Sequence, residues 1–165
     1  MIAVDIFRRQ NGKFLEHLDA IRSFISSNQK KLSNMDVTLL QSESLLNRAK
    51  KKALEIGIPM NIAILDTAGH IKAFLRMDNA FPGSIDIAIK KAKTAMLFRM
   101  NSEKVGEFLR PEVGAWGMEA SSGGLMGFAG GIPIKDGEEI IGYVGVSGGP
   151  IEMDFAVASA ACNIN

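Results

Sequence analysis

The sequence predicts an α+β fold over residues 36–165, an antiparallel sheet covered by helices, preceded by an N-terminal helical extension over residues 1–35. Three observations carry this. Two apolar runs, Asn61 to Leu65 and Ile71 to Met77, flank the short turn Thr67-Ala68-Gly69-His70 and read as a β-hairpin. Helix-period stripes lie on both sides of that hairpin. The clearest strand, Glu139 to Val146, runs through Ser147-Gly148-Gly149-Pro150 into a final helix.

The elements follow in order. Over 13–32, Phe14, Leu18, Ile21 and Ile25 recur at steps of three and four, the spacing of one helix face. Ser33-Asn34-Met35-Asp36 breaks that helix. The next runs over about 38–56, with Thr38 and Gln41 spaced as a capping box. Gly57 ends it and Pro59 follows. After the hairpin, Ser84 is the expected N-cap of a helix reaching Met100. The small residues Ala88, Ala92 and Ala95 on one face predict close packing against the sheet. Ser102 is the expected cap of a short helix over 103–109. Leu125 to Phe128 and Gly131 to Ile134 read as short strand pieces. Lys135 to Glu138 is a hairpin turn into the strand at 139–146, and Pro150 suits the first position of the last helix.

Composition bounds the function. Of 165 residues 47% are apolar, enough for a packed core. The net charge of +1 argues against a general nucleic-acid binder, which is normally basic. Cys162 is the only cysteine, so neither an internal disulfide nor a cysteine-based zinc site can form. No apolar run reaches the ~20 residues a membrane span requires. Arg8-Arg9 is followed by Gln10, Asn11, Lys13 and Glu16 where an export signal needs an apolar stretch, so the chain reads as cytoplasmic. Twelve of the 17 glycines fall between Gly114 and Gly149, and residues 114–165 carry one basic side chain, Lys135, against six acidic ones.

Chemistry-bearing residues are sparse. The histidines are His17 and His70, weak metal candidates because no ligand spacing accompanies them. The strand–Ser147-Gly148-Gly149–helix junction offers backbone N–H groups to an anion, but Glu152 and Asp154 in the first helical turn already complement the helix dipole. Asp66 ends the first hairpin strand and is expected to make an Asx turn. Arg76, Asp78, Lys91, Arg110 and Glu119 are the remaining polar candidates. Lys91 and Lys93, two residues apart, cannot share one helix face.

In order along the chain, Asn61 to His70, Arg76-Met77-Asp78, Ser84 to Ala88 with Lys91-Ala92 and Thr94-Ala95, Gly130 to Ile134, and Gly142 to Gly149 with Glu152 and Asp154 resemble the GlcG/HbpS-like family, also called the haem-degrading or DUF336 domain. The resemblance covers about residues 38–162. It implies a profilin-like α+β fold, a five-stranded antiparallel sheet between helices, and a homo-oligomer. It also implies a small-molecule ligand, with haem or another tetrapyrrole the leading class. The expected ligand-binding residues are Arg76, Asp78, Ser84, Gly130, Gly131, Ser147, Gly148 and Gly149. Asp66, Lys91 and Glu119 are the catalytic candidates if the protein is instead an enzyme or accessory protein acting on a small organic acid or aldehyde. A third reading is a structural protein assembled through the N-terminal helix. Ala129, Trp116-Gly117 and Pro150 depart from the family pattern.

Overall fold

The computed structural model describes residues 13, 15–27 and 36–162. The chain divides into two compact units, Met1–Met35 and Asp36–Asn165. In the first unit, residues 15–27 form helix α1. Phe14 and residues 28–35, which belong to the sequence reading of this helix and its end, lie outside the described residues, as does Arg8-Arg9. Leu15, Ile21, Phe24 and Ile25 are exposed on α1.

In the second unit the elements are α2 (Leu39–Ile56), β1 (Asn61–Leu65), β2 (Ile71–Arg76), α3 (Gly83–Phe98), α4 (Ser102–Phe108), two short 3₁₀ segments (Pro111–Val113 and Trp116–Gly123), β3 (Gly131–Asp136), β4 (Glu139–Ser147) and α5 (Ile151–Cys162). The sheet order is β2-β1-β4-β3, and all pairs are antiparallel. Two hairpins are thus joined through their central strands. Burial follows from that order. β1 is buried at every position because it has a neighbour on each side and helices over both faces. Its apolar run reflects this, since alternation marks a half-exposed strand. β3 carries Pro133 and lies at an edge, where the missing donor costs no ladder bond.

One face of the sheet presents Ile62, Ile64, Val144 and Val146 to Leu45, Ala49 and Ala53 of α2 and to Val157, Ala158 and Ala161 of α5. The other presents Leu65 and Tyr143 to Ala92 and Ala95 of α3. The alanine face read from the sequence is therefore the packed one. Its close approach also accounts for Gly145 and Gly131. A Cβ on Gly145 would run into the Ala88 carbonyl oxygen, and one on Gly131 into the Lys91 carbonyl oxygen.

The α2 caps agree with the sequence reading. Thr38 and Gln41 form the reciprocal capping box, and Gly57 ends the helix in the left-handed region at φ 78°. Four expectations are corrected. The sheet has four strands, not five. Residues 125–128 are not a strand, because their backbone turns to the helices: Met126 N–H donates to Thr94 Oγ1 at 2.8 Å, and Gly127 packs directly on the Gly106 backbone. Ser84 is not the N-cap. α3 begins at Gly83 after Pro82, with the Ser84 N–H turned back to Phe81 O. Ser102 is not a cap either: it is the first residue of α4, and its hydroxyl donates to Phe128 O while accepting the Gly131 N–H.

Gly145→Ala is expected to lower stability by about 3 kcal/mol, the upper end of the usual overpacking cost, because a helix backbone cannot step aside like a side chain. Gly83→Ala, with nothing within 4 Å of the added Cβ, should leave the urea midpoint unchanged or raise it. Comparing the two unfolding curves checks this.

Candidate functional site

The expected site residues fall into three groups, and only parts of the set come together. The first group is the β1–β2 turn. Asp66 Oδ1 accepts the Ala68 N–H at 3.0 Å and the His70 N–H at 2.8 Å, the expected Asx geometry. Asp66 Oδ2 lies 3.3 Å from His70 Nδ1. A carboxylate only accepts, so the facing nitrogen is the donor, and in the neutral ring Nε2 then keeps its lone pair. The His70 side chain is 80% exposed, whereas Asp66 is largely covered. Asp36 braces the same turn from the other side by accepting the Thr67 N–H at 2.8 Å. Met96 of α3 packs under Gly69, which brings the end of that helix, with exposed Leu97 and Met100, to this end of the sheet.

The second group lies at the opposite end of β2. Arg76 and Asp78 border a cleft of about 380 Å³ between β2 and the C-terminal half of α2, with Lys50, Leu54, Leu75 and Met77 among its walls. Arg76 donates through Nε and Nη2 to Ala80 O, at 3.3 and 3.2 Å. By strand register, Arg76, Asn61 and Ser147 form one row across β2, β1 and β4. Asn61 is fully buried. Its Nδ2 donates to Phe81 O at 3.0 Å, and its Oδ1 has no partner among the described residues.

The third group is the glycine-rich segment, centred on an ion pair. Lys91 Nζ donates to Asp154 Oδ2 at 2.6 Å and to Val146 O at 3.1 Å. The two side chains are 2% and 3% exposed. Asp154 Oδ1 accepts the Gly149 N–H at 3.0 Å. Gly130, at φ 118°, passes close by: a Cβ there would lie 2.8 Å from Val146 O and 3.3 Å from Lys91 Nζ. Burial pushes the Asp154 carboxyl above its ordinary value, opposed by Lys91 and by the Gly149 and Gly148 N–H groups.

Of the catalytic candidates, Asp66 thus braces the turn and Lys91 is closed inside the ion pair. Glu119 is half-buried in the second 3₁₀ segment, with Oε2 unpartnered among the described residues. The three stand in separate parts of the fold. Ser84 is half-buried in the first turn of α3, and His17 is exposed on α1 in the other unit. Sequence reasoning missed Asn61 and the partnership of Asp154 with Lys91. The signal for the latter was available on one side only. Lys91 lies three residues after Ala88 and four before Ala95, on the alanine face.

Among the described residues no three of His, Cys, Asp and Glu gather as a metal site. The Cys162 thiol is pushed up to about 12 by burial, against the pull of Arg48, so it offers no thiolate near neutrality.

Residues 37–163 match the model of the family described as haem degrading protein HbpS-like. A Citrobacter freundii protein, known as an uncharacterized 15.0 kDa protein of the dhaT-dhaS intergenic region, is 32% identical over 126 residues, 76% of this chain and 89% of that one. Two solved structures superpose with TM-scores of 0.75. Klebsiella pneumoniae ORFY, assigned to DUF336, shares 30% identity over 77% of this chain and 88% of its own. The PduOC:Heme complex shares 27% over 79% and 96%.

Two outcomes test this geometry. Lys91→Met leaves the Asp154 carboxyl buried without its cation and should cost about 3–5 kcal/mol. Protonating Asp154 relieves that charge, so the deficit should be largest at pH 8 and shrink as pH falls towards the raised folded-state pKa. Urea titrations at pH 8 and pH 5 read it. Cys162 in the native chain should react with a thiol reagent at pH 8 far more slowly than in the urea-unfolded chain.

Proposed function

The chain belongs to the haem-degrading, HbpS-like family, and from that premise we propose that it is a small-molecule-binding protein whose ligand is a haem-class tetrapyrrole held through His70. The observation that carries the reading is the Asp66–His70 pair. A carboxylate that accepts the hydrogen bond of one ring N–H orients the imidazole and leaves the other nitrogen for a metal, the usual support of a metal-bound histidine. The similarity to the PduOC:Heme complex supplies the ligand class.

The residues present fit such a group in three respects. His70 offers one exposed axial donor, as a haem iron requires. Ile71, Leu97 and Met100 are exposed apolar side chains at the same end of the sheet, suited to a flat macrocycle. Lys72, exposed on β2 beside Ile71, and Arg99 at the end of α3 supply positive charge for carboxylate substituents. A bound haem would bring redox-active iron to this surface. The chain's own contribution is to orient one imidazole and cover one side of the ring.

We extend the proposal to a homo-oligomer. Phe81, Phe108, Trp116 and Phe128 are between 49% and 69% exposed, large aromatic side chains that contact between copies would cover. Light scattering should return a mass that is a multiple of the chain's 17.8 kDa, and a monomer at micromolar concentration would contradict this part.

Titration with hemin at micromolar protein should shift the Soret band. His70→Ala should weaken binding at least tenfold or abolish the shift, while His17→Ala leaves it intact. An unchanged titration in His70→Ala would remove the assignment, and no Soret shift with the unsubstituted protein would remove the ligand class.

A further inference from the structure

We propose that the cleft between α2 and the end of β2 is a second, separate binding site, for a small organic carboxylate with a short apolar body. The site does not depend on the haem reading, because the Met96–Gly69 contact puts the end of α3 at the β1–β2 turn, and the cleft lies at the other end of β2.

Size, lining and charge point to this ligand class. The volume of about 380 Å³ lies at the lower end of small-molecule pockets, which run about 300–1,000 Å³. The interior is apolar: Ala53 is fully buried, and Ile58, Leu75 and Met77 are partly buried side chains packed on the same core. Leu54 leaves its side chain 62% exposed at the wall although it stands on a helix that buries its opposite face. The space beside Gly57 at the helix end is open, since a Cβ there would meet nothing within 4 Å.

The polar groups sit at the border and are unbalanced. Lys50 has no carboxylate within 4 Å among the described residues, whereas Lys52, on the same helix, is paired with Glu55. Arg76 has no such carboxylate either. Its Nε and Nη2 each donate once to Ala80 O, which holds the guanidinium in place and leaves three of its five N–H donors, two on Nη1 and one on Nη2. Two cations over an apolar floor select an anion with a hydrocarbon body. Asp78, the one acid of the lining, keeps the net local charge at about one positive unit and disfavours a dianion such as phosphate. A monocarboxylate satisfies all three features: one negative charge for Lys50 and Arg76, an apolar tail for Leu54, Leu75 and Met77, and no second charge to meet Asp78.

The full chain, labelled with ¹⁵N, can be titrated with hexanoate, acetate, hexanol and inorganic phosphate while amide shifts are followed. Hexanoate should perturb residues 50–59 and 75–78 and bind at least fivefold more tightly than acetate or hexanol, with phosphate weakest. Lys50→Gln, an exposed substitution that leaves the fold intact, should weaken hexanoate at least fivefold and leave hexanol unchanged. Leu54→Glu should weaken both hexanoate and hexanol. The proposal is overturned if 10 mM hexanoate leaves these amides unmoved, if phosphate binds as well as hexanoate, or if Lys50→Gln binds hexanoate like the unsubstituted protein. Hemin binding should be the same in Lys50→Gln, so failure here and failure of the His70 assignment are read separately.

Discussion

A buried ammonium on α3 and a buried carboxylate on α5 sit 2.6 Å apart at the end of β4, and the fold has to keep them so. Each charge alone would carry a desolvation cost of several kcal/mol, so the docking of each helix is coupled to that of the other. The remaining bonds of the pair go to backbone: Lys91 to Val146 O, and Asp154 to the Gly149 N–H. That arrangement ties α3, β4 and α5 into one unit. It also explains why the nearby chain is glycine. Gly130, Gly131 and Gly145 pass where helix backbone, or the ion pair itself, leaves no room for a side chain.

This gives the cluster of late glycines a packing role. Backbone N–H groups at a strand–helix junction are a ready anion site in general. Here the Gly149 N–H is already taken by the chain's own Asp154. The acid read from the sequence as complementing the helix dipole acts more directly, by taking the N–H an anion would use. The ligand sites proposed above lie at the two ends of the first hairpin. At one, Asp66 orients His70. At the other, Arg76 and Lys50 line a largely apolar cleft.

Most of the fold was legible in the sequence because it is written in local signals. The α2 capping box, the Gly57 stop, the two hairpins and the alanine face of α3 all depend on residues within a few positions of one another. The failures share a cause. Residues 125–128 have strand-like composition, but their N–H groups and close contacts go to Thr94 and Gly106, far away in sequence. Ser84 and Ser102 have the composition of caps; α3 starts two residues earlier, at Gly83 after Pro82, and Ser102 is drawn into contacts with Phe128 and Gly131. For the candidate site, residue types were legible and partnerships were not. Lys91 stood visibly on a buried face, yet Asp154, 63 residues later, was the part of the answer that only the three-dimensional structure supplies.

The central claim is that the glycine-rich segment holds the helices on the sheet while ligand chemistry lies at the ends of the first hairpin. Amide shifts of the ¹⁵N-labelled full chain titrated with zinc protoporphyrin IX, a diamagnetic ring that takes one axial donor, test it most directly. The account predicts the largest shifts at residues 66–72 and 96–100, with Gly130, Gly131 and Ser147 to Gly149 unmoved. Largest shifts at those glycines, with His70 and its neighbours unaffected, would contradict it.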